Sequence, residues 1–346
     1  MGVSMRSREG REGRERREGE QEGRNGATQQ FFPAFHSFLQ TFPSFPTFPT
    51  FPSFLSLPSR LSLLTIIAAA ACRQAPATGG GIAVVDDAGD TVRIGAPARR
   101  VVSLIPASTE LLFAIGAGSE VVGRTNYCDY PAAAAAVPDL GDGIKPNIEV
   151  VIARRPDLVV LYNSGQNAAV AARLRELGIE ALRLNTDQLS DVGRVARILG
   201  RLTGRERSAD SLAAEFDSAL AVATRPRVGR RPKVLLLVWE QPPMTVGRGS
   251  FLSELIERAG GENLFADVAA SSGIVSIEAV AARAPDLILT TTDGPSAFAS
   301  RPEWQVVAAV RERRFLRVTG SEFNRPSPRA PLAIREVAAQ LKGRTP

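Results

Sequence analysis

Residues 147–160 read NIEVVIARRPDLVV, and residues 276–289 read SIEAVAARAPDLIL. Aligned from Ile148 and Ile277, eight of twelve positions are identical, and the copies lie 129 residues apart. In the first copy Asn147 caps a short helical run, Pro156 stops it, and the apolar run 157–161 follows; the second copy, from Ser276 to Leu289, repeats the unit. The unit predicts a short helix feeding a buried strand. Repeated alternation of such units gives a parallel sheet covered on both faces, and the duplication predicts two equivalent lobes. Each copy also puts a glutamate, Glu149 or Glu278, in its first helical turn. Negative charge there complements the helix dipole by about 0.3–1 kcal/mol. That accounts for one such residue more readily than for a matched pair.

Outward from the first copy, IAVVDDAGDTVRI (82–94) is two short alternating runs around a turn and predicts a β-hairpin. RRVVSL (99–104) and EVVGRT (120–125) predict strands. PASTELLFAIGAG (106–118) predicts a helix capped by Ser108 or Thr109 and ended by Gly116 and Gly118. After the copy come a helix over 167–179 and a strand over 180–184. Residues 187–224 contain no strand pattern; they predict two helices broken at Gly204. Alternation restarts with a strand over 233–239, a helix over 250–261, the second copy, a strand over 315–320 and a final helix over 331–341. The fold class is α/β: two doubly wound parallel-sheet lobes joined by a long helical connection, with a ligand cleft between them. The expected boundaries are 82–186 for the first lobe, 187–226 for the linker and 227–343 for the second lobe.

The front end reads differently. Residues 1–30 are rich in Arg, Glu and Gly, and residues 31–54 repeat Phe-Pro-Ser/Thr triplets that suit neither helix nor strand ladder. SRLSLLTIIAAAAC (59–72) then has one positive charge, a short apolar run and a cysteine after small residues, the layout of a secretory leader. AAAC resembles the bacterial lipobox, which makes Cys72 the expected lipidation site; a buried alanine-rich helix is the alternative. RQAPATGGG (73–81) suits a tether. Residues 1–72 are therefore expected to be a disordered stretch plus a lipoprotein signal peptide, with translation starting near Leu55–Leu61.

Composition removes several kinds of chemistry. The chain carries a net charge of +6 on 346 residues, with acid and base interspersed rather than gathered in a basic stripe, so nucleic acid is not an expected partner. Its one histidine, His36, lies in the front segment. Without that segment, Ser-His-Asp catalysis, histidine-rich metal sites and histidine-ligated haem are all excluded. No CxxC occurs, and GRGS (247–250) and GAGSE (116–120) are too short for a phosphate loop. No catalytic residue, resident metal or cofactor is expected.

Several ordered motifs carry a resemblance: VVDDAGDTVRI, then RRVVSLIPASTELLFAIGAGSEVVGRTNYCDYP, then the first copy, and later GGENLF, the second copy and NRPSPR. Over about 82–343 the chain resembles class III periplasmic substrate-binding proteins of ABC importers, which bind cobalamin, haem or ferric siderophores, and most of all their vitamin B12-binding members. The resemblance implies a lipid-anchored, exported, monomeric protein, periplasmic or on the cell surface. It implies docking on a permease dimer with ATPase subunits through one glutamate per lobe, at Glu149 and Glu278, and a metal chelate as ligand. The B12 binders carry tryptophans in the loops before each copy, whereas here GDGIKPN (141–147) and ASSGIV (270–275) have none. The acidic residue expected early in SEFNR falls on Ser321, with Glu322 beside it. Cobalamin, another corrinoid, haem and a siderophore all stay open.

Ligands of α/β lobes sit beyond the carboxyl ends of the strands. The expected contacts are therefore Pro106, Ala107, Ser108, Tyr127, Cys128, Tyr162 and Asn163 in the first lobe, and Trp239, Glu240, Phe323, Asn324 and Arg325 in the second. The aromatic rings would face a large flat ligand and the polar groups would orient it; ordinary packing is the alternative for each ring. Cys128 reads either as a buried small apolar residue or as a soft ligand to the chelated metal. Two rival classes remain beside the importer component: an exported enzyme using a metal cofactor, and a surface adhesin. Neither accounts for a paired glutamate in a duplicated unit.

Overall fold

The computed structural model describes residues 81–224, 229–290 and 297–342. The expected leader, Cys72 and the tether lie outside them. The duplicated unit explains its own residues. Its helices are Ile148–Ile152 and Ile277–Arg283. The Asn147 side chain accepts from the backbone N–H groups of Glu149 at 3.0 Å and Val150 at 3.3 Å, and the Ser276 hydroxyl accepts from Ala279 N–H at 3.1 Å. Val151 and Val280 are buried. Arg155 and Ala284, equivalent residues just before the prolines, both turn left-handed, with φ of 48° and 49°, a conformation that costs an L-residue about 1 kcal/mol.

Next come Asp157 and Asp286. The Asp157 carboxylate accepts from Arg99 N–H at 2.8 Å and Arg100 N–H at 3.1 Å; Asp286 accepts from Lys233 N–H at 2.8 Å. Each aspartate thus ties the strand that follows it to the start of its parallel neighbour. Those strands open with buried Leu158 and Leu287.

The first sheet is wholly parallel. In chain order its strands are β3 (Val101–Ser103), β4 (Val121–Arg124), β5 (Leu158–Tyr162) and β6 (Glu180–Leu184), arranged β4-β3-β5-β6. Before them, β1 (Ile82–Val85) and β2 (Thr91–Ile94) form the antiparallel hairpin, with Ile82 opposite Ile94. Asp90 of its turn bonds Arg175 and Arg183 at 2.8 Å each. Arg183, then Arg175, hold its carboxylate below the usual range.

The second sheet runs β10-β8-β7-β11-β12, from β7 (Lys233–Glu240), β8 (Pro243–Val246), β10 (Ser272–Ile274), β11 (Leu287–Thr290) and β12 (Phe315–Arg317), with β9 (Glu262–Asn263) also on β7. The β7-β11-β12 part is parallel, but β8 folds back antiparallel on β7, and β10 is antiparallel to β8. The second sheet thus keeps the expected parallel part and adds an antiparallel fold-back that the sequence reading did not include. Segments of three or four residues, one of them opening on proline, carry no readable period.

Strand period sorts the core. On β5, Leu158 and Val160 face one apolar cluster while Val159 and Leu161 face another; on β7, Val234 and Leu236 divide from Leu235 and Leu237 in the same way. The helices are α1 (Pro106–Ala114), α2 (Ile148–Ile152), α3 (Gly165–Glu176), α4 (Asp191–Thr203), α5 (Glu206–Ala223), α6 (Phe251–Arg258), α7 (Ile277–Arg283), α8 (Ala308–Arg311) and α9 (Ala330–Lys342). The connection between the sheets is α4 and α5, broken at Gly204 with φ of 68°. A Cβ on Gly200 would stand 2.5 Å from that of Ala209, so only glycine lets the two helices approach this closely. Helix α4 packs on α1 of the first lobe, and α5 packs on α9 of the second. One apolar cluster therefore runs from Leu158 and Leu184 through Val195 and Phe216 to Val234, Leu289 and Ile334.

A second fastening is ionic. Glu110 of α1 is buried, its side chain 1% exposed. Arg325 Nε donates to Glu110 Oε1 at 2.7 Å; Arg329 Nη2 donates to the same oxygen at 2.7 Å, and Arg329 Nε to Oε2 at 3.0 Å. Both arginines come from the second lobe. Helix α1 starts at Pro106 with Ile105 at its cap and no side-chain cap bond, which corrects the expectation of a Ser108 or Thr109 cap. Proline at the first helical position presets the turn, and both hydroxyl residues are buried inside it. Removing one partner of a buried ionic group strands the others. Glu110→Ala is expected to cost about 3 kcal/mol in urea unfolding. Glu176→Ala, which removes an exposed pair with Arg173, is expected to cost under about 1 kcal/mol. Equal effects would count against Glu110 as the fastening.

Candidate functional site

The carboxyl ends of the parallel strands of the two sheets face each other. After β4, the Tyr127 carbonyl accepts from Arg325 Nη1 at 3.0 Å, and Asp129 pairs with Arg325. After β12, Glu322 pairs with Arg329, and Ser321 Oγ bonds Arg329 Nη2 at 2.9 Å. The Arg329 guanidinium lies 4.0 Å from the centre of the Tyr130 ring, which is 43% exposed. Among the expected contacts, Arg325 is thus at the meeting of the lobes. Burial and the neighbouring carboxylates act on Arg329 in opposite directions; Glu110 and Glu322 prevail and raise its pKa, securing a charge that arginine keeps in any case.

The other expected residues are placed unequally. Trp239 is exposed at the end of β7, its indole N–H donating to the Gln241 carbonyl at 2.7 Å. Glu240 pairs with Arg301 at 3.5 Å. Asn324 is exposed, and Pro106 and Tyr127 are half-buried. Tyr162 is half-buried and donates its hydroxyl to Asp187 at 2.8 Å. Burial first, then Asp187, push the Tyr162 hydroxyl above its ordinary range, and burial raises the Asp187 carboxyl. Asn163 is turned to the hairpin, donating to the Asp87 carbonyl at 3.1 Å.

Ala107, Ser108, Cys128 and Phe323 are all buried, so as the chain stands they offer a ligand no surface. Phe323 belongs to the large apolar cluster. Cys128 Sγ accepts from the Thr109 hydroxyl at 3.1 Å and lies 3.2 Å from that of Thr125. It is enclosed by first-lobe hydroxyls, which counts against the metal-ligand alternative and fits the buried one. Ser108 Oγ is buried with no hydrogen-bond partner in the structure.

Glu110, Asp129, Tyr130 and Arg329, which gather around Arg325 and Glu322, were not among the expected contacts. One signal existed: Glu110 is the sole charge in PASTELLFA, and a charge in so apolar a helix calls for a partner.

Glu149 and Glu278 are both exposed. Glu278's own backbone N–H, then the Ser276 hydroxyl, hold its carboxyl below the usual range. Among the described residues no group of three or more His, Cys, Asp or Glu is placed to hold a metal ion.

This geometry has known counterparts. A family model described as periplasmic binding protein matches residues 101–321, more than half of the chain. The vitamin B12-binding protein of Vibrio cholerae serotype O1 is 28% identical over 248 residues, covering 71% of this chain and 90% of that protein. An ABC transporter substrate-binding lipoprotein of Bacillus subtilis strain 168, itself uncharacterized, is 32% identical over 270 residues, covering 74% and 84%. The solved structure of the periplasmic vitamin B12-binding protein of Vibrio cholerae superposes with a TM-score of 0.60 at 27% identity, covering 71% of this chain and 97% of that one. Two α/β lobes with facing strand ends, a helical connection and these relatives agree: the chain belongs to the periplasmic binding protein family, as a class III substrate-binding protein of the ABC-importer type.

Proposed function

We propose that this protein captures cobalamin or a related corrinoid between its lobes and delivers it to an ABC importer. It does so as an exported lipoprotein anchored through Cys72, and it carries out no catalysis. The observation that carries the ligand site is the convergence of Tyr127, Tyr130 and Asp129 with Arg325 and Arg329 at the strand ends. The likeness to vitamin B12-binding proteins supports the ligand class. Trp239 and Tyr127 supply rings for the flat face of a chelate, while Asn324 and Arg325 supply polar groups at the same level of the fold. Arg325 is half-buried and already oriented, so it loses little freedom on binding. Haem and ferric siderophores are the other ligands to test.

Docking on the permease is assigned to Glu149 and Glu278. In the duplicated unit the buried valines pack, the prolines stop the helices, the aspartates tie neighbouring strands, and the leucines open the next strands. The glutamates are the shared acidic residues of the unit that stand exposed on the first helical turn, which is what a contact surface for another protein requires.

Incubation of the purified protein with cyanocobalamin, cobinamide, haemin and a ferric siderophore, followed by desalting, is expected to leave a corrinoid absorbance spectrum. Trp239→Ala and Tyr127→Ala are each expected to weaken that binding about tenfold or more. Retention of haem or siderophore alone would move the ligand within the family, and retention of none would overturn ligand capture. For docking, Glu149→Arg with Glu278→Arg is expected to abolish stimulation of the importer's ATPase while leaving ligand retention unchanged. Full stimulation by the double variant would remove both glutamates from the interface.

A further inference from the structure

The arginines that reach the meeting of the lobes are already engaged. Arg325 holds Glu110 and Asp129, and Arg329 holds Glu110 and Glu322. Two guanidinium groups thus face three carboxylates, one of them fully buried. Among the described strand ends, exposed Arg317 closes β12, and Arg124, closing β4, lies 4.0 Å from Asp139. The segment after β6 brings Asp187, and Glu240 at the end of β7 is balanced by Arg301. Loop 141–147 brings one residue of each sign, Asp142 and the exposed Lys145.

We infer that this cluster is a charge filter. The site takes chelates that are neutral or cationic at their rim and discriminates against those that present free carboxylates or other anionic groups. The inference rests on the proposed ligand cleft and adds a selection rule to it. An anionic group entering the site would have to displace Asp129 from Arg325 or Glu322 from Arg329 to find a cation, and it would meet a net negative field meanwhile. A neutral amide rim pays neither cost, because it can donate to the carboxylates and accept from the guanidinium edges. Asp129 and Glu322 are the specificity-determining residues. Their side chains are 55% and 21% exposed, whereas that of Glu110 is 1% exposed and belongs to the fastening of the lobes.

The test uses ligand twins that differ in charge and hardly in shape: cyanocobalamin against its monocarboxylate, in which one side-chain amide is hydrolysed, and haemin dimethyl ester against haemin. Affinities are measured by tryptophan quenching or calorimetry on the purified protein and on Asp129→Asn/Glu322→Gln. The wild-type protein is expected to hold the neutral twin about tenfold more tightly, which is about 1.4 kcal/mol. The double variant is expected to close most of that gap, read as the ratio of its affinities for the two twins. Binding of the neutral twin also reports that the variant is folded. Equal wild-type affinity for both twins, or a gap that persists in the variant, overturns the filter and leaves ligand capture standing. Failure to bind either pair overturns the proposed capture of a chelate, and the filter with it.

Discussion

The molecule depends on one buried carboxylate. Glu110 stands in a helix with no other charge, its side chain 1% exposed. An ionised carboxylate taken out of water costs several kcal/mol unless it is paired and hydrogen-bonded. Its partners are two guanidinium groups from a segment more than 200 residues later in the chain, on the other lobe. The pairing therefore acts as a constraint. Moving the second lobe away from α1 would leave the Glu110 charge buried and unpaired, so the facing strand ends are held near one separation. The arginines are constrained in turn. Arg325 is fixed at the mouth by the Tyr127 carbonyl and Asp129, and Arg329 by Glu322, Ser321 and the Tyr130 ring.

The connection between the lobes works in the same direction. A linker that merely tethered two bodies would be solvated and would carry a separate core on each side. Here α4 and α5 supply Val195, Leu199 and Phe216 to the same apolar cluster that holds both sheets' inner faces. Gly200 lets the two helices touch, and each then packs on a different lobe. Ionic and apolar contacts thus fasten the lobes at two places.

Much of this was legible in the sequence, for identifiable reasons. Buried parallel strands read as continuous apolar runs, and those at 101–103, 158–162 and 180–184 fell where the pattern placed them. The cap at Asn147 was legible because side-chain capping is local chemistry. The β8 and β10 strands were not, since their pairing is set by a fold-back of β7 rather than by their own composition. The site divides along the same line. Arg325 was named because it follows a strand. Glu110 and Arg329 were missed because a helical glutamate is ordinarily solvated, and nothing local announces a partner in the other lobe. Cys128 and Phe323 are buried, since a post-strand position gives proximity to the strand ends but not the direction of the side chain.

Rigidity bears on how such a protein can select. A binding protein that closes by a wide rotation can test its ligand through closure, since only the right shape lets the lobes meet. This one has its lobes already joined by a charged triad and a common core, so large closure would have to break contacts rather than make them. On the proposed capture of a chelate, selection then falls on what the fixed surface presents: the rings of Trp239, Tyr127 and Tyr130, and the signs of the groups around Arg325 and Arg329. Shape admits a family of flat chelates of similar size, and rings bind them with little preference among rims. Charge is the property in which those chelates differ most sharply, and it acts over a longer range than contact. In a scaffold fastened this way, the carboxylates left over after the fastening is satisfied, Asp129 and Glu322, are the groups with freedom to discriminate. They can do so because the fully buried one, Glu110, holds the two arginines where both can be reached.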